Sequence, residues 1–207
     1  MCVDRSAVNP EFCMSQPPAT PSSKIVQTLD RSERFPYPRW DYVRRALWNL
    51  CYYTIWRIPR AWRLRRAIIR LFGGKVGQAT IFRASCRIIH PWLLQIGDFC
   101  SIADGATVYN LGPITIGSHT TISQGTYLCA GTHDYTLAHM PLRRPPITIG
   151  SGVWVAAEAF IGPGAVIGDN TVVGARAVVM GTVPAGVVVA GNPARVVKDR
   201  VMKDEKS

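Results

Sequence analysis

The chain has 207 residues, of which 47% are hydrophobic, and it carries a formal net charge of +11. Its uncharged apolar stretches are all shorter than the roughly 18 residues needed to cross a bilayer, so the sequence predicts no spanning helix. The positive charge indicates an anionic partner, which is a nucleic acid, a phosphate-bearing cofactor or an acidic membrane surface.

The first 38 residues are rich in Pro and Ser and show no steady apolar period. This composition is typical of a disordered or loosely attached arm, which we expect over residues 1–38.

Residues 39–74 are predicted to form a basic amphipathic helical segment. A first helix is expected over 40–58, since Pro59 would end it, and a second over 60–72, before Gly73 and Gly74. Three- to four-residue spacing defines an apolar face on each helix. The face of the first helix is expected to contain Val43, Leu47, Leu50, Thr54 and Ile58. The face of the second is expected to contain Ala61, Leu64, Ile68 and Leu71.

A strict period of six residues begins to dominate after residue 75. Its longest unbroken run is Ile149, Val155, Ile161, Ile167, Val173 and Val179, and a Gly follows four of these residues. Short strands joined by tight turns, three to a coil of about 18 residues, explain this period. The aliphatic residues would point inward and stack on their equivalents in the next coil. We expect the glycines to permit the backbone conformation of the turns.

Two interruptions of this period mark insertions. Val108 and Ile116 are separated by eight residues, and Leu128 and Ile149 by 21. The second interruption contains AGTHDYTLAHMPLRRPP, which predicts a loop over 130–146 that leaves the coil. Loops on rigid scaffolds commonly carry chemistry. The main domain is expected over 75–200, and residues 201–207 form a tail.

Several segments resemble the hexapeptide-repeat O-acetyltransferases, especially the colanic-acid and exopolysaccharide type and the maltose and galactoside type. They are YNLGPITIGSHTTIS, YLCAGTHDY, PITIGSGVWVAAEAFIGPGAVIGDNTVVGARAVV and VVAGNPARVVK, within about residues 93–198. The resemblance implies an all-β main domain, a left-handed parallel β-helix, behind the short helical segment. It also implies a homotrimer that binds acetyl-CoA between subunits and acetylates a sugar or exopolysaccharide hydroxyl.

The resemblance makes His133, in GTHDY, the general base that removes the proton of the acceptor hydroxyl. Imidazole suits this task because it titrates near neutral pH. The Asn that the family places about thirty residues earlier is absent, since Ala103 occupies that position. Asp104, Asn110 and Asp134 are therefore the candidate substrate contacts, although Asp134 is expected mainly to shape the loop.

The cofactor positions are also carried over from the resemblance. Small or turn residues would line the pantetheine arm, and two basic residues in GNPARVVK would meet the nucleotide phosphates. These candidates are Ala157, Ala175, Met180, Gly181, Arg195 and Lys198. Arg176 is a possible replacement for a side-chain contact that the family makes where this chain has Met180 and Gly181.

Two other functions remain open. A zinc enzyme similar to the γ-class carbonic anhydrases would need three His ligands, for which His119, His133 and His139 are candidates. A non-catalytic solenoid scaffold would keep the core period and lose the loop His. The GTHDY loop and the GNPAR tail favour the transferase, for which no metal is expected.

The basic residues concentrate ahead of the solenoid, with ten Lys and Arg between Arg39 and Lys75 and a single acidic residue, Asp41. Four tryptophans lie among them and could stack on bases, but apolar and basic residues occupy different helical faces. We therefore expect no nucleic acid partner. Residues 40–72 are expected to dock on an anionic membrane surface, to cap the open end of the solenoid with their arginines in solvent, or both. The scattered cysteines, which form no C-x-x-C pair, indicate a cytoplasmic protein with free thiols. If the helices dock on a membrane, the expected location is peripheral at its inner face.

Overall fold

The computed structural model describes residues 38–202; residues 1–37, which make up nearly all of the expected arm, and residues 203–207 lie outside the described part. It is a parallel β-solenoid of about six turns preceded by two short helices, which confirms the predicted architecture. Helix α1 spans Arg39–Tyr53 and helix α2 spans Trp62–Leu71. Within residues 38–202, neither helix has the length and apolar character needed to span a membrane.

Three parallel sheets form the sides of the prism. The first sheet contains β1 (Lys75–Val76), β4 (Leu94–Ile96), β7 (Ile114–Ile116), β12 (Ile147–Ile149), β15 (Val166–Ile167) and β18 (Thr182–Val183). The second contains β2 (Ile81–Phe82), β5 (Ser101–Ile102), β8 (Thr121–Ile122), β13 (Trp154–Val155), β16 (Val172–Val173), β19 (Val187–Ala190) and the antiparallel β20 (Arg195–Asp199). The third contains β3 (Arg87–Ile88), β6 (Thr107–Tyr109), β9 (Tyr127–Cys129), β14 (Phe160–Ile161) and β17 (Val178–Val179). A 3₁₀ helix covers Pro91–Leu93.

The six-residue period produces the core as predicted. Ile149 pairs with Ile167, Val155 with Val173, and Ile161 with Val179, each one coil apart. All six side chains are at most 1% exposed. One sequence period therefore determines both the strand register and the interior of the prism.

The role expected for the glycines that follow the core aliphatics is wrong. Gly150, Gly162, Gly168 and Gly174 are absent from the residues with positive φ, which instead include Gly152 and Gly164. A Cβ at Gly168 would lie 2.4 Å from the backbone nitrogen of Ala185 in the next coil. Gly150 and Gly168 are therefore favoured because the backbone of the next coil approaches too closely for a side chain, rather than because the turn needs a left-handed residue.

Helix α1 buries a different face from the one that the sequence predicts. Trp48, Tyr52 and, just beyond the helix, Trp56 are buried at 1%, 7% and 0% exposure. The predicted inner residues Leu47 and Leu50 are 51% and 65% exposed. The aromatic series recurs every four residues and offers more apolar area than the aliphatic one, so it is the face that packs on the solenoid.

The helices cap the open end of the prism. The first coil presents backbone carbonyls that have no preceding coil to pair with, and side chains of the helical segment donate to them. Arg70 donates to Val76 O, Arg65 to Phe82 O at 3.0 Å, and the Trp48 indole to Ile88 O at 2.7 Å. Val76, Phe82 and Ile88 lie six residues apart, one on each sheet, so every side of the prism receives a donor. This arrangement protects an exposed strand edge.

The expectation that the arginines of the cap lie in solvent is therefore wrong for several of them. Arg65 is only 3% exposed and donates to the carbonyls of Trp56, Ile58 and Phe82. Arg66 donates to Thr80 O. Arg65, Arg66 and Arg70, which were expected to contact a membrane, thus bind the first coil and help to cap the solenoid.

Candidate active site

The loop over 130–146 is a β-hairpin that projects from the edge between the third and first sheets. Strand β10 (Thr132–His133) pairs antiparallel with β11 (Leu142–Arg143), with Thr132 opposite Arg143 and His133 opposite Leu142. The backbone N–H of Asp134 also donates to Pro141 O at 3.0 Å. We call this edge, formed by residues 89–93, 110–113, 130–146, 162–165 and 180–181, the hairpin edge.

His133 lies on the hairpin with its ring exposed and its orientation fixed. Its Nδ1 is 2.6 Å from the backbone carbonyl oxygen of Met140. A carbonyl can only accept, so Nδ1 carries the proton and Nε2 of the neutral ring has a free lone pair. Met140 has φ of 45°, a left-handed conformation that is uncommon for a residue with a side chain. The hairpin thus holds the imidazole in the tautomer that a general base requires.

Asp134 is used within the hairpin. The backbone N–H and hydroxyl of Thr136 both donate to one carboxylate oxygen, and Arg143 donates to the other at 3.0 Å. The hydrogen bond from the Thr136 hydroxyl, followed by that from Arg143, holds the pKa of this carboxyl below its ordinary value. The bonds of Asp134 to Thr136 and Arg143 therefore shape the loop, and the imidazole of His133 is oriented by Met140 O instead.

Asn110 lies inside the molecule and has no surface to offer a substrate. Its side chain is 0% exposed. Its Oδ1 accepts from the backbone N–H of His90 at 2.9 Å, and its Nδ2 donates to the carbonyl of the same residue at 2.6 Å. The two-residue insertion around Asn110 thereby ties two successive coils together, which argues against the predicted substrate contact.

A second group of candidates lies at the opposite edge of the third sheet, between the second and third sheets. We call the residues 83–86, 103–106, 123–126, 156–159 and 174–177 the alanine edge. Asp104 is exposed there, accepts a hydrogen bond from the Ser85 hydroxyl at 2.6 Å and lies 3.8 Å from the Arg83 guanidinium. Ala157 is partly buried and Ala175 is exposed at equivalent positions of adjacent coils.

Arg176 follows Ala175 but is paired within the chain. Its Nε donates to Glu158 at 2.6 Å, and this hydrogen bond raises the pKa of the guanidinium. Both residues have positive φ and occupy matching corners of successive coils. A contact of Arg176 with a cofactor would have to compete with this ion pair.

The remaining cofactor candidates divide between two places. Met180 and Gly181 lie on the hairpin edge, where Met180 is 61% exposed and a Cβ at Gly181 would meet nothing within 4 Å. Arg195 and Lys198 lie on β20, where both are exposed. Strand β20 pairs with β19 of the second sheet, so these two cations lie at the carboxyl-terminal end of the solenoid.

A single chain therefore does not assemble the candidate site. His133, Met180 and Gly181 share the hairpin edge, whereas Asp104, Ala157 and Ala175 share the alanine edge. The third sheet lies between the two edges, and an aromatic ladder of Tyr109, Tyr127 and Phe160 crosses its outer face with ring centroids 5.9 Å apart in each step. In the single chain, the third sheet thus separates His133 from Ala157 and Ala175.

Sequence reasoning missed the partners that orient the hairpin. Met140, Thr136 and Arg143 were unassigned, although each bonds to His133 or Asp134. Every residue has a backbone carbonyl, so the sequence could not identify Met140 as the partner of His133. Arg143 could have been found, because a basic residue nine positions after Asp134 suits an ion pair across a hairpin.

The other histidines occupy different environments. His90 is buried, and this burial lowers the pKa of its ring to about 4. His119 stacks on Phe99 at a centroid distance of 5.1 Å, on the edge between the first and second sheets. Within residues 38–202, no three His, Cys, Asp or Glu side chains are grouped as metal ligands.

Comparison with known proteins places this arrangement in a family. A family model described as bacterial transferase hexapeptide (six repeats) matches residues 146–181. The putative colanic acid biosynthesis acetyltransferase WcaF of Escherichia coli (strain K12) is 44% identical over 161 residues, covering 77% of this chain and 88% of that protein. Galactoside O-acetyltransferase of the same organism is 38% identical over 92 residues, covering 42% of this chain and 44% of that protein.

Solved structures agree with the fold. A galactoside acetyltransferase in complex with coenzyme A has a TM-score of 0.72 at 25% identity, covering 81% of this chain and 86% of that one. A hexapeptide-repeat acetyltransferase of Vibrio cholerae, solved with acetyl coenzyme A, has a TM-score of 0.74 at 23% identity, covering 81% and 93%. Taken with the extent of the match to the colanic acid relative, these similarities show that the chain belongs to the hexapeptide-repeat acetyltransferases.

Proposed function

We propose that this protein transfers the acetyl group of acetyl-CoA to a hydroxyl of a sugar or exopolysaccharide repeat unit, with His133 as the general base. The observation that carries the proposal is the hydrogen bond between His133 Nδ1 and Met140 O at 2.6 Å. In the neutral ring it places the proton on Nδ1, so Nε2 can accept a proton, and His133 is exposed on a hairpin that projects from the solenoid. The names of the colanic acid and galactoside relatives support a saccharide acceptor.

The reaction needs one proton acceptor and no covalent enzyme intermediate. His133 Nε2 accepts the proton of the acceptor hydroxyl while the hydroxyl oxygen forms a bond to the acetyl carbon. The carbon–sulfur bond of the thioester then breaks, and the imidazolium returns its proton to the departing sulfur. The Met140 carbonyl stabilises the imidazolium between these steps, because it accepts from Nδ1–H in both protonation states.

The residues near the two edges fit a coenzyme A molecule. Bound acetyl-CoA supplies the activated acetyl group. The small side chains at Ala157 and Ala175 and the open space at Gly181 leave room for a narrow arm along an edge. Arg195 and Lys198 are exposed cations at the end of the solenoid, where they suit phosphate groups. Arg176 forms an ion pair with Glu158, so the proposal assigns it no contact with the cofactor.

The proposal includes a homotrimer with three shared sites. The separation of the candidates onto two edges supports it, since a neighbouring chain can bring its alanine edge to the hairpin edge of the first. Rotational symmetry repeats this contact three times. Each site would then combine His133, Met180 and Gly181 of one subunit with Ala157 and Ala175 of the next.

Replacement of His133 by Ala tests the chemical role. We expect kcat for acetyl transfer to fall by about 10²–10⁴-fold, because general-base catalysis typically contributes that much. The affinity for coenzyme A, measured by calorimetry, should be nearly unchanged, since the imidazole is not proposed to hold the cofactor. A panel of oligosaccharide and lipid-linked acceptors would identify the substrate.

His119→Ala is the matched control, because His119 is also exposed but lies on another edge of the prism. Its turnover should equal that of the wild type. Full activity of His133→Ala would refute the general-base role, and a loss shared by both variants would indicate a general structural effect.

A further inference from the structure

Within residues 38–202, the outer face of the helical cap is apolar and exposed. Within the described part of the chain, α1 turns five large apolar side chains away from the solenoid, and α2 adds one beside them. We call this set the end-face. It consists of Trp40, Val43, Leu47, Leu50, Tyr53 and Leu71, which are between 46% and 83% exposed.

The direction of this face follows from the packing of α1. Trp48 and Tyr52 face the prism, and the Trp48 indole is bonded to the first coil. At 100° per residue, Val43 and Leu50 lie roughly opposite Trp48 on the helix. The end-face therefore points away from the end of the solenoid, whereas the two edges that carry the candidate site run along its sides.

The end-face also contains a groove. Leu47 of α1 and Leu71 of α2 form its walls together with Trp40 and Phe72, and its volume is about 460 Å³. Soluble monomers rarely expose a contiguous apolar surface of this kind without a partner.

The charge of the helical segment indicates the partner. Arg44 lines the groove, and Arg39 is exposed next to Trp40 at the start of α1. Arg57, Arg60, Arg63 and Arg70 are exposed elsewhere in the same segment and add to its positive charge. The one acidic residue between residues 39 and 74, Asp41, is 3.6 Å from Arg44. A second copy of the chain would bring like charges together on this face, which disfavours self-association. An anionic lipid surface attracts these charges and accepts the apolar side chains at the same time.

We propose that the end-face docks this protein on an anionic phospholipid bilayer, with Trp40, Leu47 and Leu50 entering the interfacial region. The cap is then both the closure of the solenoid and its membrane contact. This proposal does not depend on the proposed reaction, because it follows from the end-face alone and vesicle binding is measured without acetyl transfer. It would hold the projecting hairpins at a fixed distance from the lipid surface.

Vesicle co-sedimentation of the full chain tests this. Vesicles of phosphatidylcholine alone are compared with vesicles that contain about 30% phosphatidylglycerol, which supplies the anionic surface. We expect binding to the anionic vesicles in about 0.1 M NaCl and a marked loss in about 0.5 M, because salt screens the arginines. No binding, or binding that is indifferent to lipid charge and salt, would overturn the proposal.

A matched pair of variants isolates the apolar contribution. Leu47→Glu and Asn49→Glu add the same charge to exposed positions of the same helix, but only Leu47 belongs to the end-face. Leu47→Glu should lower the vesicle partition coefficient about tenfold more than Asn49→Glu. The reason is that it also removes a leucine side chain that is proposed to insert into the lipid. Equal effects of the two variants would contradict an apolar contact.

Sedimentation velocity without lipid separates docking from self-association. If Leu47→Glu retains the oligomeric state of the wild type, the face is not an interface between copies, as the proposal requires. If it reduces that state, the face is an interface between copies, and the proposal is wrong. Circular dichroism and acetyl transfer to a soluble acceptor verify that each variant is folded, and they report on the proposed reaction separately.

Discussion

Asp134 is next to the candidate base, yet its carboxylate holds the hairpin together. Three donors from Thr136 and Arg143 reach it. In Asp134→Ala these donors lose their acceptor, so we expect faster hydrogen exchange over residues 132–143 and a lower kcat/KM, while the solenoid keeps its stability. Exchange measured by mass spectrometry checks this. Asp104→Ala, which removes an exposed carboxylate from the other edge, should leave the hairpin unchanged.

The same carboxylate gives the hairpin a pH dependence. Its pKa is lower in the folded hairpin than in an unfolded chain. The stabilisation is therefore present above the unfolded pKa and is lost as the pH falls through the folded pKa. Hydrogen exchange over residues 132–143 should accelerate in that acid range in the wild type, and Asp134→Asn should remove this dependence. An identical acid response in both proteins would contradict this role of Asp134.

At the scale of single residues, the sequence shows which side chains can form hydrogen bonds but not which of them are exposed. GTHDY directs attention to His133, which the structure places on a projecting hairpin. Asn110 has the right chemistry for a sugar contact, but it is used to join two coils. The difference arises because residue type reveals hydrogen-bonding capacity, whereas only the fold determines which capacity is already satisfied.

At the scale of elements, the cap depends on a buried arginine. Arg65 is buried and donates to the backbone carbonyls of Trp56, Ile58 and Phe82. Arg65→Met should therefore lower the free energy of unfolding by about 3 kcal/mol, the upper range for hydrogen bonds from a charged group. Urea denaturation measures this. Arg63→Met changes an exposed arginine of the same helix and should cost less than about 0.5 kcal/mol.

Close packing of the coils makes a second prediction at this scale. A Cβ at Gly168 would lie 2.4 Å from Ala185 N, which belongs to the backbone and cannot move aside. Gly168→Ala should destabilise the protein by about 1–3 kcal/mol through overpacking. Gly174→Ala should cost less, because its nearest neighbour is the Ala190 methyl group at 3.1 Å. Equal costs in urea denaturation would contradict the steric explanation.

The helices show why element boundaries and faces are harder to predict than the solenoid. Helix α1 ends at Tyr53 rather than near residue 58, because the chain turns to bury Trp56 and the residue before Pro59 disfavours helix. Two apolar stripes of α1 compete, and spacing alone cannot rank them. The solenoid has no such competition, since a period maintained over many coils permits one register only.

At the scale of the whole molecule, the predicted site residues occupy two edges of one prism. Sequence motifs carried over from relatives indicate which residues belong to a site. They do not indicate which subunit contributes each residue. The separation of His133 from Ala157 and Ala175 by the third sheet is a property of three-dimensional structure. Because of this separation, the proposed mechanism requires an oligomer in which neighbouring subunits share each site.

Mixed trimers test that requirement. His133→Ala removes the base, and Ala175→Trp should block the arm of coenzyme A at the alanine edge, so each variant alone is expected to be inactive. If His133 and Ala175 of different subunits form one site, co-expression of the two variants gives some sites that carry neither change. Random mixing should then restore about a quarter of the wild-type turnover. Tagging each variant differently allows the mixed trimers to be purified, and one of the three sites in each then carries neither change, so about a third of the wild-type turnover is expected for them. If a site lies within one chain, every site retains one defect and the mixture stays inactive, which would contradict the shared site while leaving the role of His133 intact.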